Sequence, residues 1–357
     1  MDNANYNPAL VPEIVKSGAL DDDPFVLIDV GCGLGVDPLW RVFEPNLRAH
    51  GIDPQIAEIE RLGREERNPH VHYHAALVGL PDDDEFRKRR VDDARRWSAY
   101  FHPLARSSGF LATERAKEAG RRSLEELNTW TTEELTTDKV KVGDFVRQQG
   151  LRSIDFVKTD TDGSDLEVLL STVDVIKETG ILGFMVETSY NTQPSDTESS
   201  IANVDRLLRD RGFLLYNLSV LRYSRAALPA PFVYSAPMQT TTGQAMFGDM
   251  IYLRDAGSSD YAEVWGEELT PTKLLKLACL CELFQVPDSA AELLLRHEQT
   301  LGELIDVRGA LDALTPRLRG RRVSYAEYLA AFDRDPSALY PHPIRRVVSG
   351  ARRRLRR

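Results

Sequence analysis

Val26–Gly35, VLIDVGCGLG, is the stretch from which the rest of this chain is read. An apolar run ends at the acid Asp29 and Val30, and Gly31, Gly33 and Gly35 follow at alternate positions. Val26 to Val30 predicts a buried strand, the glycines let the backbone bend tightly and approach a ligand, and Asp37-Pro38 opens a helix. Leu39, Val42, Phe43 and Leu47 recur at helical spacing, so that helix is expected to pack one face on a sheet. A strand, a glycine turn and a helix in this order mark a small-molecule site.

The spacing narrows the ligand. A dinucleotide fingerprint reads G-x-G-x-x-G, and Val36 stands where its third glycine would be. An acid ahead of glycines spaced by two suits a ligand with an amino-acid end and no pyrophosphate, as S-adenosylmethionine offers. Asp53, eighteen residues beyond Gly35, is predicted to end the next strand, where a carboxylate can accept hydrogen bonds from both ribose hydroxyls.

Composition bounds the alternatives. The chain has 357 residues, 42% of them hydrophobic, enough for one large or two ordinary domains with a real core. It carries no apolar run of the roughly 20 residues that a bilayer requires, and its start lacks the pattern of a signal peptide, so a cytoplasmic protein is expected. Cys32, Cys279 and Cys281 form no disulfide framework and are read as reduced thiols. The formal charge of -10 argues against nucleic acid as a partner. The tail 345–357, RRVVSGARRRLRR, is the exception. Its seven arginines and absence of acids suit a solvated terminus or a peripheral contact with anionic lipid at the inner face of the membrane.

Strands and helices then alternate. HVHYHAALVG predicts a third strand near the sheet edge, with His70, His72 and His74 on one solvated face. The charged stretch of about 81–138 is a long insertion, whose Trp97, Tyr100, Phe101 and His102 suit a lid or a platform for a sugar ring. Strands recur from Ile154, from Ile181, in RGFLLYNL and in FGDMIYLRD. The expected fold is α/β, a doubly wound, mainly parallel seven-stranded sheet over residues 1–255. Beyond it, Thr270-Pro271 and Asp288 open apolar-striped helices. Residues 256–357 are therefore expected to form an α-helical C-terminal appendage, its stripes serving as core or as a homo-oligomer interface.

Ligands in such sheets bind beyond the carboxyl ends of the central strands, which directs attention to Asp160, Asp162, Gly163, Ser164 and Asp165. At a helix N-terminus an acid can simply satisfy free amides, and Asp165, inside the first turn, fits that role best. The whole pattern, VKVGDFVRQQGLRSIDFVKTDTDGSDLEVLLS followed by MVETS, resembles the FkbM-type methyltransferase family. That family typically shows leucine-aspartate, a spacer, an apolar strand and K-x-D-x-E-G-x-E-x-x-V-L. The resemblance runs in order from Phe25 to Asp255. Departures are DVGCGLG where the family often has alanine-asparagine, Asp53 for a usual glutamate, and Asp162 and Asp165 for glutamates.

What the resemblance implies is a Rossmann-like class I fold and S-adenosylmethionine-dependent O-methylation of a sugar, glycolipid, polysaccharide or polyketide-type natural product. Asp29 and the backbone of Gly31, Cys32, Gly33 and Gly35 would then hold the methionine part, Asp53 the ribose, and Ala75 and Ala76 would line the adenine. Asp160 or Asp162 is the candidate base, and Glu187 would orient the substrate or join Asp160 in holding a divalent cation such as magnesium. Two alternatives stand beside this reading. D-x-D-G-S after a strand also resembles haloacid dehalogenase-type phosphatases, with Asp160 as nucleophile, Asp162 as acid and base, and Asp249 and Asp255 in a late metal motif; Lys158 inside the strand counts against it. The other is a non-catalytic module that binds the cofactor.

Overall fold

The structure is a computed structural model that describes residues 4–90, 106–112, 136, 139–192 and 194–339. Trp97, Tyr100, Phe101, His102 and the arginine tail fall outside these residues. The strands are β1 (Phe25–Val30), β2 (Leu47–Asp53), β3 (Val71–Ala75), β4 (Leu77–Val78), β5 (Lys139–Val140), β6 (Phe156–Thr159), β7 (Gly183–Ser189), β8 (Phe213–Leu218), β9 (Leu221–Tyr223) and β10 (Gln244–Arg254). Seven form the main sheet in the order β3-β2-β1-β6-β7-β10-β8, with β9 paired to β10 as an eighth strand and β4 with β5 as a separate parallel pair. Only β10 runs antiparallel to its neighbours β7 and β8 in the main path; the other pairings from β3 to β7 are parallel. The doubly wound, mainly parallel sheet is therefore as expected, with β9 in addition.

Alternate residues of each strand feed two cores, because successive side chains in a strand point to opposite faces. Ile28, Val157, Phe184 and Met250 pack with Val142, Phe145, Leu166, Leu169, Val204 and Leu208. These last come from helices covering one face, in chain order after α1 (Leu10–Lys16) and α2 (Ile56–Glu65): α3 (Val142–Gln148), α4 (Asp165–Thr172), α5 (Ile176–Thr179) and α6 (Ile201–Arg209). Leu27, Phe156, Met185 and Leu253 face the other way and pack with α1 and with the C-terminal helices. Those are α7 (Tyr261–Trp265), α8 (Pro271–Leu283), α9 (Pro287–Arg296), α10 (Glu298–Leu301), α11 (Val307–Leu314) and α12 (Tyr325–Arg334).

The C-terminal helices thus cover one face of the sheet. Phe284, just past α8, stacks on Phe156 of β6 with ring centroids 5.3 Å apart. Asp155, fully buried ahead of β6, accepts from Lys273 at 2.7 Å and from Lys276 at 3.0 Å, both on α8. Glu282 of the same helix accepts from the backbone amides of Ala9, Leu10 and Val11, satisfying the free donors that open α1. Among the described residues no helix is long and apolar enough to cross a membrane.

Two local expectations change. The segment after the glycine turn is a short 3-10 helix, Pro38–Phe43, capped by the Asp37 side chain, and Leu47 begins β2. Pro45 explains the early stop, since a residue preceding proline is driven to extended backbone, and Glu44 has ψ 136°. β3 is an edge strand as read, but its histidines are not uniformly solvated. His74 Nε2 lies 3.2 Å from Nδ1 of buried His50 on β2, and its ring packs edge-on against Phe145. Burial, and then His74 and His72, push His50 down to about 4, so it is neutral near pH 7, and burial with His72 lowers His74 as well.

Candidate functional site

The ligand crevice of an open parallel sheet lies where successive strands depart in opposite directions. Here β2 and β3 extend to one side of β1, and β6 and β7 to the other, so the crevice opens between the ends of β1 and β6. Gly31, at φ 80°, makes that junction tight: a Cβ there would lie 1.8 Å from the carbonyl oxygen of Asp160. The Asp160 amide in turn donates to Val30 O at 3.0 Å, and Gly31 N donates to Ile52 O at 2.8 Å. Three strand ends are held in one place.

The far side of the turn is braced from β3. The Val36 amide donates to the Tyr73 phenol at 3.2 Å, and that hydroxyl donates to Glu66 at 3.3 Å. Arg41 grips Glu66 at 2.6 Å; against the effect of its burial, Arg41 and the Arg67 and Asn68 amides hold the Glu66 carboxyl at about 2. Gly51 on β2 provides the passage, since a Cβ there would meet Cys32 Sγ at 2.7 Å and the Tyr73 ring at 2.8 Å. A groove of about 870 Å³ opens beside this brace, lined by Gly35, Arg41, Glu66 and Tyr73; Asp29, Asp53, Asp160 and Glu187 are not part of its lining.

Asp29 lies deeper than the sequence suggests. It is 1% exposed, and its Oδ1 accepts from Lys158 Nζ at 2.9 Å across the β1–β6 register. Lys158 also lies 3.6 Å from Asp160 and donates to Gly31 O at 3.4 Å. Burial opposes its charge, but Asp29 and Asp160 outweigh that and raise its pKa, so it stays cationic. Asp29 therefore acts on the turn chiefly through Lys158. Cys32 and Gly33 are buried in the turn, and burial, with Asp29 and Asp53 nearby, raises the Cys32 thiol well above its usual range.

Asp53 ends β2 as read, 6% exposed, with Oδ1 accepting from the Gln55 amide at 3.0 Å. Ala75 ends the adjacent β3 beside it, and the Ala76 amide donates to Asp53 O at 3.1 Å. The expected cofactor residues thus line successive strand ends. Asp165 fills the role of amide acceptor: fully buried, it accepts from the Thr159 hydroxyl at 2.6 Å and from the Thr161 and Gly163 amides. It closes the loop that presents Asp160 and Asp162, both exposed, with Asp162 at φ 51°. Thr161 Oγ1, buried in that loop, finds no hydrogen-bond partner among the described residues.

Glu187 stands next to Asp160 in the sheet, one residue beyond the Val186 that pairs with Thr159. Directly opposite it across the antiparallel β7–β10 pair is Asp249, so both carboxyls share a face. Burial, followed by Asp160, Asp165, Asp249 and Asp162, pushes Glu187 up to about 8. Burial and Asp160 push Asp249 up to about 6, and its amide donates to the Ser219 hydroxyl at 2.8 Å. Such a pair can hold a proton near neutral pH and accept one from a bound hydroxyl above it. Asp249 entered the sequence reading only through the phosphatase motif. Its signal was an acid inside the apolar run of FGDMIYLRD. Among the described residues no group of three or more His, Cys, Asp and Glu is arranged to hold a metal ion, so the expected cation at Asp160 and Glu187 gains no support.

The family model described as the methyltransferase FkbM domain matches residues 34–215, just over half of the chain. The match starts inside the glycine turn and ends in β8, before β10 and Asp249. Among curated proteins no significant match is found. Among solved structures, the chain is similar to magnesium protoporphyrin IX methyltransferase from Synechocystis PCC 6803 with bound SAM, at 10% identity and a TM-score of 0.27 over 68% of this chain and 77% of that one. It is also similar to human methyltransferase-like protein 13 in complex with SAH, at 12% identity and a TM-score of 0.29 over 79% and 89% of the two chains.

Proposed function

Because this chain belongs to the FkbM methyltransferase family, we propose that it moves a methyl group from S-adenosylmethionine to a hydroxyl of a sugar, glycolipid or polyketide-type natural product. One observation carries the reading: the glycine turn and the Asp160 loop close on each other at the sheet's switch point, with acids on the neighbouring strand ends. The residues suit the cofactor. The turn offers close backbone approach, Asp53 a ribose acceptor, Ala75 and Ala76 a small apolar wall, and Thr161 Oγ1 a buried hydroxyl awaiting a partner. When bound, the cofactor supplies an electrophilic methyl group.

This chain's own residues do the rest. Lys158, held by Asp29, fixes the relative position of the turn and the Asp160 loop. Glu187 and Asp249 face the acceptor side, orient its hydroxyl and take its proton as the oxygen attacks, while Asp160 beside them is the exposed alternative base. Burial of this pair costs carboxylate solvation and raises its basicity toward what taking a proton from a hydroxyl requires.

The test is transfer of isotope-labelled methyl from S-adenosylmethionine to a cell extract, with mass spectrometry of the labelled product. A labelled hydroxyl compound supports the proposal. Cofactor binding with no labelled product, equally in wild type and Asp160→Asn, identifies a non-catalytic module instead.

A further inference from the structure

The surface beside the acid pair carries aromatic and apolar side chains. β9 extends the sheet past Glu187: Leu221 pairs with Phe247 and Tyr223 with Gln244. Phe247 lies two residues from Asp249 on β10 and so shares its face, and Tyr223 packs edge-on against Phe247 with ring centroids 5.3 Å apart. The acids therefore border an aromatic pair. Burial raises the Tyr223 phenol, with Glu187 and then Tyr234 adding to it, in keeping with that order along the surface.

Tyr234 belongs to the loop that joins β9 to β10, and this loop shows large apolar side chains to solvent. Leu228 is 83% exposed, Val233 51%, Tyr234 48% and Met238 45%, with Phe232 beside them at 36%. The loop is built to hold them there. Ser224 N donates to Thr240 Oγ1 at 2.7 Å and Ala230 N to Ser224 Oγ at 3.0 Å, closing its base. Val233 N donates to Gln239 O and Thr241 N to Pro231 O, tying its two arms together. A clustered apolar surface on a hydrogen-bonded loop marks a binding site.

We propose that this loop is the acceptor arm of the enzyme, and that the acceptor is amphipathic. Its hydroxylated head reaches Glu187 and Asp249 past Tyr223 and Phe247, while an alkyl, acyl or polyketide body lies on Phe232, Val233, Tyr234 and Met238. The inference rests on the methyl-transfer reading and deepens it, because a wholly hydrophilic saccharide would leave these apolar side chains in water. Continuity from the acids through the aromatic pair to the loop is what assigns the surface to the acceptor rather than to another protein.

The probes are n-octyl β-D-glucoside below its micelle concentration and methyl β-D-glucoside, which share a head group and differ in the chain. Calorimetry uses the full chain with saturating S-adenosylhomocysteine, whose own binding is measured first. The proposal expects the octyl compound to bind at least about tenfold more tightly than the methyl compound. It expects the triple variant Phe232→Ser, Tyr234→Ser, Met238→Ser to lose that preference while binding S-adenosylhomocysteine unchanged. Equal binding of the two glucosides, or an unchanged preference in the triple variant, overturns it. So does sedimentation showing a wild-type dimer that the triple variant converts to monomer, since the loop then serves a second copy. Failure of S-adenosylhomocysteine to bind the wild type would instead count against the methyltransferase reading itself.

Discussion

Glu187 and Asp249 face one another across the β7–β10 pair, and each carboxyl holds its proton well above the ordinary range, to about 8 and about 6. Unfolding frees both to titrate normally. Between about pH 4.5 and pH 8 the folded chain therefore binds more protons at Glu187 than the unfolded chain, and this group's contribution to stability falls as pH rises. Glu187→Gln removes that dependence. The variant should be more stable than wild type at pH 8 by more than about 1 kcal/mol, with the gain shrinking toward pH 4.5, as read by urea unfolding across the range. A gain independent of pH would contradict it.

Under the proposed methyl transfer, the same pair is expected to set the pH profile of catalysis. Methyl transfer at saturating cofactor should climb through about pH 8 as Glu187 loses its proton. Glu187→Gln should cut the rate about 100-fold or more and abolish the limb near pH 8. A wild-type profile flat from pH 6.5 to 9 would remove Glu187 from the proton transfer.

Asp29 and Lys158 form a buried pair at 2.9 Å beneath the glycine turn. Lys158→Met leaves the Asp29 carboxylate buried without its partner and should cost about 3 to 5 kcal/mol. The double variant Asp29→Asn, Lys158→Met should recover at least half of that loss, since no uncompensated charge remains. Additive losses in denaturant titrations would show that the two residues act separately.

The C-terminal helices should be indispensable to the sheet. A chain ending at Asp255 would expose Leu27, Phe156, Met185 and Leu253 and strip Asp155 of both lysines. It is expected to be insoluble, or to lack a cooperative unfolding transition by near-ultraviolet circular dichroism. A soluble fragment with a sharp transition would make residues 1–255 an independent domain.

The doubly wound, mainly parallel sheet was legible because alternating apolar strands and helices leave few ways to wind one. Asp53 and Asp165 were legible for a related reason, since their positions follow from a strand end and a helix start, whereas Ala75 came only with the family resemblance. The long-range partners were not. Lys158 stands out in sequence as a charge inside an apolar strand, but only the β1–β6 register brings it to Asp29. Asp249 lies in a strand that inserts antiparallel between β7 and β8, so its pairing with Glu187 depends on a connection made late in the chain. Gly51 and Tyr73 support the turn by packing across strands, and neither carries a local motif. The helical spacing of Leu39 to Leu47 misled because Pro45 ends the helix before the period does.

Calorimetry of the full chain with S-adenosylmethionine, in wild type and Gly31→Ala, tests cofactor binding at the β1–β6 crevice. A Cβ at Gly31 falls 1.8 Å from Asp160 O, so the variant must open the junction of the two loops. One site per chain is expected in the wild type, and at least about tenfold weaker binding in a variant that keeps its circular dichroism spectrum. No heat of binding in the wild type, or equal affinity in a folded Gly31→Ala, would contradict it.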